Sequence, residues 1–404
     1  MYSNPGDPAP LQPLYQQAFE VTPTISLRSI LLSFCLVFLF LQTPTLGQDT
    51  TQLQADYDTK VETWRKTIKE IRKIHFEYIA ASNEDEARKL RKDWGQLREV
   101  GRQQLVDLAQ SARDLFDQLD TPPRDLVAFM HRIQSKLLFD GRPLQAYDIG
   151  HMILKKMPND KEAQMITAKA AIRLNHFEEA GQLSESLGVA MQRGLDRVDT
   201  SMFSQIEDLK ASYQRELEIQ AAETETDTLP RVRLVTNKGE IIVELFENEA
   251  PTAVGNFLSL VEQEKYNDML FNRVIKDVLA LTGQYYRDGG FAPVVYTIKD
   301  ECDREDARSH FRGSLSMAKT DDANSGYIQF FVCERALPHL DGKHTVFGRI
   351  ISGEEVFESL SVSHFTTEEN KEEKLPNVVH DYIISAEVLR KRDHEYSFEK
   401  SSGR

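Results

Sequence analysis

This chain has little of what a disulfide-stapled, metal-bound or nucleic-acid-binding protein needs. Its 404 residues include only 3 Cys and 2 Trp. Three cysteines are too few for a disulfide scaffold, and no CxxC pair offers a zinc knuckle or a thioredoxin-type redox site. Positive charge is in deficit, since 49 Lys+Arg against 64 Asp+Glu leave a formal net charge of −15. That is the wrong sign for displacing counterions from a phosphate backbone. No GxGxxG, P-loop, HExxH or GxSxG pattern occurs. The acidic run Asp300–Asp306 lacks the spacing and glycine of a calcium loop and reads as a solvated loop. The apolar run Ile30–Leu41 (ILLSFCLVFLFL) is short of the roughly 20 residues that span a bilayer. It has the length of an export-signal core, with Arg28 before it and small Thr45 and Gly47 spaced as for cleavage after Gly47. Residues 1–47 are therefore expected to be a signal peptide or, uncleaved, an N-terminal anchor. The mature chain would be periplasmic or secreted, with no membrane span unless that signal is retained.

What the chain does have is enough apolar sequence, 40%, to build cores. At about 100–200 residues per domain, the length suggests two or three of them. Residues 50–119 contain no Pro, and Gly only at 95 and 101. Trp64, Ile68, Ile71 and Ile74 or Phe76, then Leu90, Trp94, Leu97 and Val100, then Leu105, Leu108, Leu115 and Leu119 recur at helical period. This predicts a long helical hairpin over 48–120. Beyond Thr121-Pro122-Pro123 a shift of 34 residues maps Ala146 onto Ala180 and Gly141 onto Asn175. Small residues and turns at that period resemble the tetratricopeptide repeat. An ordinary helical bundle satisfies the same pattern. The repeat reading of 121–220 would supply a concave surface for a protein partner. Glu216–Asp227 is acidic and Thr-rich, and 221–230 is expected to be a linker.

The periodicity changes at Arg231. Val232 and Leu234, then Ile241, Val243 and Leu245, alternate with polar residues around the hairpin signal Asn237-Lys238-Gly239. Pro251 is placed for the first turn of a helix whose apolar face is Val254, Phe257, Leu258 and Val261. Short strands follow at Leu270–Ile275, Ser314–Ala318, Gln329–Cys333, Thr345–Ile350 and Asp381–Val388. This pattern predicts an antiparallel barrel or sandwich over 231–392 and a disordered tail over 393–404. Cys302 and Cys333 are the cysteines of the mature chain. An exported chain would permit a disulfide between them, but Cys333, beside Phe331 in an apolar strand, reads rather as a buried free thiol.

Several blocks carry a family resemblance. They are Thr236–Glu240 with Glu244-Leu245-Phe246, Ala250-Pro251-Thr252 with Asn256-Phe257, Phe271–Ile275, Gly313–Ala318, Gln329-Phe330-Phe331 and Leu340–Gly348. In this order and spacing they resemble the cyclophilins over 231–392. The resemblance implies an eight-stranded antiparallel β-barrel with two capping helices, and peptidyl-prolyl cis–trans isomerase activity on proline-containing polypeptides. Such chemistry needs no cofactor or metal. An X-Pro amide rotates against a barrier of about 18–20 kcal/mol, slowly enough to limit folding. A site lowers that barrier by holding the pyrrolidine ring in an apolar pocket and presenting a fixed donor to the prolyl nitrogen, which favours the twisted amide. The resemblance makes Arg273 that donor, with its permanently charged planar fork. Gln329 would hold a substrate carbonyl or orient Arg273, while Phe331, Leu340 and His344 would wall the pocket.

The chain departs from the family pattern at several positions. Asn272 stands where His usually precedes the Arg, Val278 replaces a pocket Phe, and Leu279 replaces Met. Leu281 replaces a Gln that orients the Arg, Lys319 follows Ala318 in place of Asn, and His339 replaces a common Trp. The expectation is a weak or narrow isomerase assisting folding of exported proteins. The rival is a catalytically inactive proline-peptide-binding scaffold.

Overall fold

The computed structural model describes residues 50–366, 372–374 and 378–401. The expected signal or anchor, residues 1–47, lies outside the described residues. No described helix is long and apolar enough to cross a membrane. The described residues form two compact units, one over Asp58–Leu108 and one comprising the rest.

The first unit is the middle of a helical hairpin. Its helices are α1 (Thr50–Ile79) and α2 (Glu84–Gln118). Asn83 caps α2, its side chain accepting from the Glu86 N–H at 2.9 Å, while the Glu86 carboxylate accepts from the Ser82 N–H at 3.2 Å. Gly101 lies against Ile71, so close that a Cβ there would sit 3.1 Å from Ile71 Cδ1. His75 stacks on Trp94, with ring centroids 5.5 Å apart.

The second unit continues through α3 (Arg124–Phe139), α4 (Pro143–Lys156), α5 (Lys161–Arg173), α6 (Phe177–Leu187), α7 (Val189–Gly194), α8 (Arg197–Ser204) and α9 (Ile206–Thr226). The turns α3–α4 and α5–α6 both use left-handed residues, Gly141 at φ +69° and Asn175 at φ +65°. Ala146 and Ala180 are fully buried. Gly150 allows α4 to approach closely, since a Cβ would meet Thr167 Oγ1 at 2.0 Å. The expected linker over 221–230 is largely absent. Helix α9 runs on to Thr226, because Glu216 and Glu223 on it bind Arg308 and Arg349 of the β-rich part. These pairings join positions far apart in sequence and have no local signature.

Strands β1 (Arg231–Thr236), β2 (Gly239–Leu245), β3 (Met269–Ile275), β4 (Leu279–Tyr286), β5 (Ser314–Met317), β6 (Phe330–Cys333), β7 (Val346–Ser352) and β10 (Tyr382–Arg390) form the barrel. Their order is β10-β1-β2-β7-β5-β6-β4-β3, and β10 pairs back onto β3 to close it. Short β8 (His364–Thr366) and β9 (Glu372–Lys374) add outside β3. Two helices accompany the barrel, α10 (Pro251–Glu262) and the short α11 (Glu354–Glu358). Phe257, Tyr266, Phe330 and Phe347 make the centre of the core, each fully buried and in tilted or edge-on ring contact with another of the set.

Two further expectations are corrected. The acidic run at 300–306 is not simply solvated. Glu301 is buried and accepts the N–H groups of Thr252 and Ala253, both at 2.9 Å, at the start of α10, where the free amides and helix dipole favour a carboxylate. The segment after 392 is ordered as far as Ser401. Tyr396 and Phe398 pack against the barrel core, and Ser401 N donates to Thr297 O at 2.8 Å. Two aromatics with an available apolar surface outweigh the polar composition of that segment.

Candidate active site

Strand β4, which the sequence reading passed over, is central to the site. It holds Gly283 at φ +100°, where a Cβ would fall 2.6 Å from Gln329 Cα and 2.7 Å from Ile328 O. Only glycine lets β4 lie this close to the segment that carries Gln329. The register then sets a row of residues across three strands. Arg273 on β3 pairs with Leu281 on β4, and Leu281 pairs with Phe331 on β6. Directly paired residues project to the same face.

That row opens into a groove of about 620 Å³. The groove is lined by Arg273, Leu279, Leu281, Ala318, Lys319, Gln329, Phe331, Leu340 and His344. These are nine of the eleven site residues expected from sequence. The other two lie elsewhere. Val278 does not line the groove but packs in the apolar cluster around Phe331, Cys333 and Leu337, and His339 lines a separate crevice with Met202, Leu209 and Arg335. The short 3₁₀ turn Pro338–Leu340 explains the split, since neighbouring residues on it diverge and only Leu340 meets the groove.

The electrostatics of the groove are those of a half-buried cation on an apolar wall. Burial pushes the Arg273 guanidinium below its ordinary range, yet Arg stays charged at any physiological pH. His344 edges onto Phe331, with ring centroids 5.6 Å apart and an interplanar angle of 80°. Its Nδ1 lies 3.0 Å from Met317 O. A carbonyl only accepts, so Nδ1 carries the hydrogen. Burial holds this imidazole below the usual histidine range, which keeps it neutral and suits it to be a wall. Lys319 is paired with Asp300 at 3.0 Å, its side chain nearly buried.

Sequence reasoning missed several lining residues, including Gln284, Tyr285 and Tyr327. Asn272 Nδ2 donates to Gln284 Oε1 at 3.1 Å across β3 and β4. It also missed His310, which is buried behind Phe331 with the two rings nearly parallel and 6.0 Å apart. A lone His followed by Phe311 and Arg312 offered no signal. Cys333 is buried as a free thiol and Cys302 is also free. Burial pushes the Cys333 thiol well above its ordinary range.

The family model for cyclophilin type peptidyl-prolyl cis-trans isomerase matches residues 231–388. A peptidyl-prolyl cis-trans isomerase of Helicobacter pylori is 46% identical over 127 residues, which cover 31% of this chain and 74% of that protein. One from Dictyostelium discoideum is 37% identical over 131 residues, covering 32% and 83% respectively. A crystal structure of a cyclophilin type isomerase from Cryptosporidium parvum aligns with 41% of this chain and 99% of its own at 26% identity, with a TM-score of 0.33. Over its β-rich part, this chain belongs to the cyclophilin-type peptidyl-prolyl cis-trans isomerase family.

Proposed function

We propose that the groove binds proline-containing polypeptides and turns their X-Pro bonds over slowly or within a narrow sequence range. One observation carries this reading: Arg273, Gln329, Phe331, Leu340 and His344 line a single groove. Phe331, Leu340 and the neutral His344 ring offer a pyrrolidine an apolar seat. Arg273 stands at the edge of that seat with its fork in a half-buried setting, where a donor stabilises a developing lone pair more than it would in water. Donation to the prolyl nitrogen takes its lone pair out of amide resonance, so the twisted imide gains more than either planar form.

The clients are proposed to be exported polypeptides, on the strength of the apolar run Ile30–Leu41 and the small residues behind it. The helical part is proposed to recruit a protein partner, supported by the two helix pairs with matching left-handed turns at Gly141 and Asn175.

Exchange NMR on a short X-Pro peptide tests the isomerase reading. Arg273→Ala is expected to lower the exchange rate by about a hundredfold, as for removal of one preorganised donor. Equal rates in wild type and variant would remove Arg273 from the mechanism. A second reading, a binding module without turnover, is favoured by the apolar Leu281 directly across from Arg273. It predicts saturable peptide binding with an unaccelerated exchange rate.

A further inference from the structure

Three consecutive residues, His310, Phe311 and Arg312, join the helical part of the second unit to the groove. Phe311 is buried between rings of the helical part. Its centroid is 4.8 Å from Tyr213 on α9 and 6.2 Å from Phe177 on α6, and those two rings lie 5.4 Å from each other. Arg312 is tied by its main chain to Asn175, in the α5–α6 turn. Its N–H donates to Asn175 Oδ1 at 3.2 Å, and its carbonyl accepts from Asn175 Nδ2 at 3.3 Å. Both contacts fix backbone position and not merely side-chain position.

His310 points the other way, toward Ser316 and Phe331, which pair across β5 and β6 and so share the groove face of the sheet. Its main-chain N–H donates to Asp341 Oδ1 at 2.8 Å. Its ring Nδ1 lies 2.7 Å from the same oxygen and its Nε2 2.9 Å from Ser316 Oγ. A carboxylate only accepts, so Nδ1 carries a hydrogen and the ring orientation is set. With both nitrogens engaged in the interior, turning the ring would leave buried polar atoms without partners. The ring face lies against Phe331, the groove wall, at an interplanar angle of 10°. Interiors are close-packed, so a shift of this imidazole must be taken up by Phe331.

We propose that His310 is a positioning residue for the proline groove, and that the helical part sets its place by gripping Phe311 and Arg312. The helical part would then act on the groove from behind, at a distance from any bound peptide. A partner that moved α6 or α9 would change peptide affinity without touching the groove. This inference rests on the groove being a proline-peptide site.

The test uses the full chain and a short Ala-Pro-containing peptide. Peptide Kd is read by NMR titration, and KM and kcat by exchange spectroscopy. Tyr213→Ala, on the helical side, and His310→Gln, on the barrel side, are each expected to weaken peptide affinity about tenfold and raise KM more than they lower kcat. Both should shift the Phe331 ring resonances. Tyr213→Phe, which keeps the ring, should restore wild-type affinity. Should Tyr213→Ala not fold, Tyr213→Leu keeps an apolar plug without the aromatic box and carries the same expectation. Folded variants with wild-type Kd and unmoved Phe331 resonances would overturn the proposal. Arg273→Ala separates the two ideas. If wild type and Arg273→Ala exchange the peptide equally, the isomerase reading fails, while the Kd comparison still decides the coupling.

Discussion

Leu281→Gln is the most informative single change in the groove. Leu281 pairs directly with Arg273 on one side and Phe331 on the other, so its side chain stands between the charged and apolar halves of the site. Directly paired residues place their Cβ atoms about 4.5–5.5 Å apart, within reach of a Gln amide for the guanidinium. A hydrogen bond to a charged group is worth about 1.5–3 kcal/mol net. If that energy holds Arg273 where the twisted imide needs it, each 1.36 kcal/mol is about tenfold in rate, and kcat/KM should rise about ten- to a hundredfold. The cost is small, because Leu281 is only half-buried. Losing part of its burial costs about 1 kcal/mol, against a typical domain stability of 5–15 kcal/mol. Adding Val278→Phe is less clean, since Val278 packs against Phe331, Cys333 and Leu337 and a larger ring there risks overpacking, typically at about 1–3 kcal/mol. The assay is X-Pro exchange NMR alongside urea unfolding of the same samples. A folded Leu281→Gln protein with unchanged kcat/KM would refute the reasoning that the orientation of Arg273 limits this site.

Three further changes test the frame around the groove. Gly283→Ala places a Cβ against the backbone of Gln329 at a left-handed φ, and is expected to cost about 3 kcal/mol or more in urea unfolding; a loss under 1 kcal/mol would show that β4 can move away. Arg308→Ala removes a guanidinium that holds Glu216 at 2.5 and 2.8 Å and Glu223 at 2.6 Å while lying 3.9 Å over the Phe246 ring. It leaves those buried carboxylates with Arg349 as their remaining arginine, 2.8 Å from Glu223 but 3.9 Å from Glu216, for an expected loss of about 3 kcal/mol, and a melting profile like wild type would show that Arg349 and water replace the guanidinium. Glu334 accepts the Asp277 N–H at 2.7 Å, and burial pushes its carboxyl up to about 8. A carboxyl raised on folding lends stability that is full below its ordinary pKa near 4.5 and is lost as pH rises towards 8. Wild-type stability should therefore fall by a few kcal/mol at most across that window, at about 1.36 kcal/mol per pKa unit. Glu334→Gln should flatten the decline, and parallel pH profiles for both proteins would count against it.

Local patterns carried the reading wherever one stretch of chain decides its own structure. The alternation of Val232 and Leu234 with Ile241 and Val243 around Asn237-Lys238-Gly239 became the β1–β2 hairpin, and Pro251 became the first residue of α10. Groove residues were legible as far as their blocks were. Arg273, Gln329, Phe331, Leu340 and His344 lie together, while neither Val278 nor His339 lines the groove, because the turn at 338–340 sends His339 elsewhere and Val278 is taken up in the apolar cluster with Cys333 and Leu337. Strand β4 was obscured by Ala280 and Gly283, which weaken a strand signal yet are what its close approach requires. The acidic stretch after Glu216 looked like a linker because its carboxylates find their arginines about 90 residues away. That compensation belongs to tertiary structure and leaves no trace in composition.

The grip of α9 on Arg308, and of Phe177 and Tyr213 on Phe311, means that the catalytic-type barrel is not a portable cassette. A clone trimmed to the boundaries of the family match would leave an inward-facing guanidinium stripped of Glu216 and Glu223, and a phenylalanine bared to solvent. Such a fragment should be expressed poorly or clump. By the same logic, grafting a foreign cyclophilin onto this helical part would fail unless the graft brought its own Arg and Phe at those two places. In this sense each half completes the interior of the other.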